Sequence, residues 1–98
     1  MFNWFNATEA VAQGREIALS VSGSLRPAEA GGIRGAEGKN RENFERLIES
    51  ATAAVRGRRF NLYQKAKFAN TLKWELREAG YPDEFIDEFL TFILVRTR

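Results

Sequence analysis

Asp83, Glu84, Asp87 and Glu88 form the densest set of potentially reactive side chains in this 98-residue chain. Asp83 and Asp87 stand one helical turn apart, as do Glu84 and Glu88, so either pair could grip a hard cation through oxygen. Paired carboxylates can also divide general acid and base roles. These acids, however, open an apolar helix, where carboxylates serve the positive end of the helix dipole, and no site-forming residues accompany them. The dipole role is the expected one. Tyr63 and Lys67, four apart, could form an acid/base pair, although this spacing arises often in helices by chance. Ser20, Ser22, Ser24 and Ser50 have no histidine to activate them, because the chain contains none. The commonest general base and the commonest metal ligand are thus both missing. There is no cysteine either, which excludes thiolate chemistry and disulfides and fits a cytoplasmic protein. No enzymatic activity, metal or cofactor is expected.

Three binding chemistries have candidate residues. Gly31, Gly32, Gly35 and Gly38 invite a phosphate-cradling loop, but the spacing is not G-x-x-x-x-G-K-[ST] and no strand precedes it. Arg56, Arg58, Arg59, Lys65 and Lys67, with Lys73 beyond them, could meet phosphates while Tyr63 and Trp74 stack on bases. The cluster is small, and the helix after the Gly80–Pro82 turn begins with acids that would repel a nucleic-acid groove. Nucleic-acid binding is therefore the second reading. Phe2, Trp4 and Phe5 could touch a membrane surface; alternatively Phe5 staples the first helix by packing on Ala10. The N-terminus lacks the basic and continuous apolar regions of a signal peptide, and no run approaches the roughly 18 apolar residues that span a bilayer.

The elements that must position these residues are all helical. Helices are predicted near 6–21, 41–56, 59–79 and 82–96, forming a small four-helix bundle. A Gly-rich flexible linker is expected over 22–40, where five glycines and a proline deny helix and strand a stable interior. The organisation expected is an N-terminal helix over 1–21, that linker, and a three-helix core over 41–98. Asn6 and Glu9 suit a capping box, and Ala10, Gly14 and Ala18 repeat every four residues, which lets another helix come close. Asn40 suits an N-cap for the second helix, whose apolar stripe is Phe44, Leu47, Ile48, Ala51, Ala54 and Val55, with Gly57 as its stop signal.

The 59–79 helix is apolar on a broad face carrying Leu62, Ala66, Phe68, Ala69, Leu72, Leu76 and Ala79. Nearly opposite runs a second stripe of Tyr63, Lys67, Asn70 and Trp74, with Phe60 at its edge. A helix with aromatics on two faces needs a neighbour on both. Residues 58–79 carry six cations against two acids, whereas 80–98 carry four acids against two cations. That complementarity could fix the hairpin or attract a second copy. In the last helix, Phe85 to Leu94 spread apolar side chains over about 200° of the wheel, too much for one neighbour.

The function expected from this pattern is a small, non-catalytic helical module for protein–protein interaction, forming a homodimer. Its partner-binding residues are expected to be Tyr63, Lys67, Trp74 and Phe60.

Overall fold

The computed structural model describes residues 6–97 and, among them, is entirely helical. Four α-helices follow one another: α1 Thr8–Ser24, α2 Gly38–Arg58, α3 Leu62–Glu78 and α4 Asp83–Arg96, with one turn of 3₁₀ helix at Pro27–Glu29. The all-α four-helix bundle expected from the periodicity is present. Phe5, its proposed staple to Ala10, and the Phe2–Trp4–Phe5 membrane contact lie outside the described residues.

Contacts tie the helices in the cyclic order α1–α3–α4–α2, with α1 against α3 the most extensive. Helix directions follow from the pairings. Gln64 Nε2 donates to Asn6 O at 2.8 Å near the starts of α1 and α3, and Arg15 pairs with Glu75 further along, so α1 and α3 run parallel. Arg77 pairs with Asp83 at 3.4 Å across the turn, which makes α3 and α4 an antiparallel hairpin. Arg58 Nε donates to Gln13 Oε1 at 3.1 Å, bringing the end of α2 back toward the start of α1. Two antiparallel hairpins, α1–α2 and α3–α4, therefore lie side by side.

The small-residue repeat of α1 does what its spacing implies. Ala10, Gly14 and Ala18 are buried. A Cβ placed on Gly14 would lie 3.0 Å from both Phe68 O and Thr71 Cβ. The two parallel helices touch through backbone, and only glycine leaves the room. The core between the helices is aromatic and aliphatic: Phe68, Leu72 and Leu76 from α3 and Phe85, Ile86, Phe89 and Ile93 from α4 are fully buried. Phe85 stacks on Phe89 at 5.5 Å and on Tyr81 at 5.4 Å, and meets Phe44 of α2 at 5.6 Å. The surplus apolar arc of α4 is thus largely consumed by three neighbours: α2, α3 and the segment ahead of α2.

Several boundaries differ from expectation, each for a local reason. Asn6 makes no capping box; its Oδ1 accepts from Thr8 N–H at 3.1 Å, and Ala7 is the N-cap. Helix α2 starts near Gly38 rather than after Asn40 and runs through Gly57, ending where Arg59 turns left-handed at φ 52°. Helix α3 begins at Leu62, not 59, because Asn61 and Gln64 form a reciprocal capping box: Gln64 N–H donates to Asn61 Oδ1 at 2.8 Å and Asn61 N–H to Gln64 Oε1 at 2.9 Å. At the other end Gly80, at φ +94°, closes a Schellman motif in which Tyr81 N–H reaches Leu76 O at 3.0 Å and Gly80 N–H reaches Arg77 O at 3.0 Å.

The segment expected as a flexible linker is shorter and is anchored. Helices extend into it from both sides, leaving residues 25–37. Leu25 and Ile33 are buried in the common core. The Tyr81 hydroxyl donates to Leu25 O, and Arg34 N–H donates to Glu88 Oε2 at 2.8 Å. Two bulky apolar residues among many glycines are enough to pin it, because each enters a core built by other elements.

Candidate interaction surfaces

Helix α3 is clamped at three sides of its circumference and open on the fourth. Its Phe68–Leu72–Leu76 line faces the core, α1 covers the edge that carries Thr71 and Glu75, and Leu94 of α4 borders the edge that carries Ala69. The open side holds the stripe that the sequence singled out. Trp74 is 54% exposed, with the Arg77 guanidinium 5.6 Å from its ring centroid. Tyr63 is half-buried beside α1, and the Lys67 ammonium lies 5.7 Å from its ring. Each aromatic is thus paired with a cation one turn away or less, an arrangement that orders both side chains while leaving ring surface available. The Tyr63–Lys67 pair is a stacked contact of this kind.

Phe60 does not share this surface. It is 7% exposed and packs on Phe68 at 6.3 Å, because the chain turns at Arg59 and points the ring inward before α3 begins. The expectation that Phe60 binds a partner is corrected accordingly.

The cations singled out for phosphate are mostly engaged at home. Arg56 Nε donates to Arg96 O at 3.0 Å, with Nη2 on the same oxygen, and Lys65 Nζ donates to Thr97 O. Both therefore cap the carbonyl end of α4, where cations are favoured by the dipole. Arg58 holds Gln13 and pairs with Glu9 at 3.6 Å. Arg59 occupies the left-handed turn and Lys67 sits over Tyr63.

The acidic quartet is also divided among structural tasks. Asp83 pairs with Arg77, Glu88 accepts from the Arg34 amide, and Glu84 packs against Gly32. Among the described residues no group of three or more acids is placed to hold a metal. No helix among them is long and apolar enough to cross a membrane.

A second surface was not apparent from the periodicity. Leu62 is 80% exposed and Leu94 37%; with Ala66, Ala69 and the stem of Lys65 they line an apolar groove along the α3–α4 seam. Leu62 and Ala66 belong to the stripe expected to be core. Both stay outside, and among the described residues it is Leu94 of α4 that borders them. Leu19, also exposed, stands alone on α1 beside Glu75 and Glu78.

No protein-family model matches this chain, and no significant match is found among characterised proteins or solved structures.

Proposed function

We propose that this chain is a small, non-catalytic helical module for protein–protein interaction that self-associates and also offers the Tyr63–Lys67–Trp74 stripe to a protein partner. One observation carries the reading: the four helices bury a complete aromatic core while leaving Trp74, Leu62 and Leu94 outside it. Exposed aromatic and aliphatic side chains of this size mark interaction surfaces, and Trp and Tyr dominate binding energy where they occur. The nucleic-acid alternative has less support, since Arg56, Arg58 and Lys65 already donate to acceptors within the chain.

Light scattering over a range of concentrations tests the self-association: the molar mass is expected to rise to that of a dimer, and a monomer mass throughout would remove this half of the reading. Photo-crosslinking tests the other half. A crosslinker at Asn70, between Lys67 and Trp74, is expected to capture a polypeptide that one at the exposed Ala53 of α2 does not, and Trp74→Ala should abolish that product. Trp74→Ala is expected to leave the melting curve nearly unchanged, within about 0.5 kcal/mol, as an exposed substitution does. Equal labelling from both positions would sink the assignment of the stripe.

A further inference from the structure

The α3–α4 seam carries more than an apolar groove. Its apolar part, Leu62, Ala66 and Leu94, occupies the end of the hairpin away from the turn. Toward the turn the same faces become charged, with Lys73 on α3 and Asp87 on α4, and the Arg77–Asp83 pair closes the seam. The two columns are in register. Lys73 precedes Arg77 by four residues and Asp87 follows Asp83 by four, so both lie about 6 Å from the closing ion pair at 1.5 Å rise per residue. Ala66 and Leu94 are each eleven residues from it, about 16 Å, again at equal height. Lys73 and Asp87 are exposed, and among the described residues neither side chain has an ion-pair partner.

We infer that this seam is an isologous interface for a second copy of the chain, with each α3 laid against the partner's α4. The inference rests on the self-association reading above and names its surface and register. A two-fold axis along the hairpin's length lays the α3 column of one protomer on the α4 column of the other at the same height. Leu62 and Ala66 then meet the partner's Leu94, and Lys73 meets the partner's Asp87, twice by symmetry. A two-fold axis across the hairpin instead sets charged ends on apolar ends and leaves Lys73 and Asp87 unpaired. Equal and opposite columns on one face are complementary to themselves, which is why the occupant is another copy rather than an unrelated protein.

The test uses charge exchange in the full chain, read by sedimentation velocity. Lys73→Asp and Asp87→Lys each place like charges opposite one another twice, and each is expected to weaken the dimer about tenfold or more. An equimolar mixture of the two variants restores opposite signs at both contacts and is expected to dimerise as the natural chain does. Leu62→Glu should abolish the dimer. All three positions are exposed, and circular-dichroism melts matching the natural chain show that the variants fold. A natural dimer that none of the three weakens overturns this interface and leaves self-association standing. Weakened single variants whose mixture stays monomeric overturn the register. A natural chain that is monomeric at every concentration overturns both this inference and the self-association beneath it.

Discussion

Thr52 lies on the buried face of α2, and its hydroxyl has no hydrogen-bond partner among the described residues. A buried hydroxyl left unpaired forfeits its interactions with water and regains nothing inside the protein. Thr52→Val keeps the shape and removes the polar atom, so it is expected to raise stability by about 1 kcal/mol. In a domain of this size that is a rise in Tm of roughly 4–8 °C, which a thermal melt resolves. An unchanged or lowered Tm would mean that water reaches the hydroxyl. Residue types alone left open whether Trp74 is core or surface. Trp74 stands on the polar side of α3, paired with a cation, as its position opposite Leu72 requires. Phe60 was misread because Arg58 and Arg59 look helical. A left-handed arginine carries no signature that glycine would have supplied, and Gly57 two residues earlier offers a false one.

The contrast between Gly14 and Gly57 shows how elements, not propensities, decide the effect of a substitution. Both are helical glycines. Around Gly57 nothing lies within 4 Å of an added Cβ, so Gly57→Ala is expected to stabilise by roughly 0.5–1 kcal/mol through backbone entropy alone. At Gly14 the added Cβ meets the Phe68 carbonyl and Thr71, so α1 must move away from α3. Gly14→Ala is expected to cost about 1–3 kcal/mol from overpacking, offset in part by improved helix propensity, and to lower Tm. Denaturant melts of the two variants should therefore move in opposite directions. The repeat of Ala10, Gly14 and Ala18 was visible in the sequence, as were the four helices and the Gly80 stop. What the periodicity did not yield was which part of each apolar arc stays uncovered. Leu62 and Leu72 share one stripe, yet only the second is buried. Coverage depends on where a neighbouring helix ends, and that is a property of the assembled bundle. Leu25 and Ile33 were hidden for the same reason, since their burial sites are furnished by α4 and the Tyr81 turn.

At the scale of the whole molecule the contacts divide into near and distant ones. The α3–α4 hairpin closes over a turn of four residues, whereas α1 meets α3 across the whole of α2. Contacts between residues far apart in sequence carry a larger closure cost and tend to form late. Pulse-labelled hydrogen exchange during refolding is therefore expected to protect amides of α3 and α4 before those of α1, and simultaneous protection would contradict this order. The same separation matters while the chain is being made. Translation at about 5–20 residues per second leaves roughly several seconds between the appearance of Gly14 and that of Thr71, against which it packs. Throughout that interval α1 has only α2 to pack on, and the face it will lay on α3 is uncovered. The line by which it meets α3 is Ala10, Gly14 and Ala18 rather than leucine and phenylalanine, so that line offers little oily surface to chaperones or to other nascent chains. The small residues that let two helices touch in the finished protein thus also keep the unfinished one quiet.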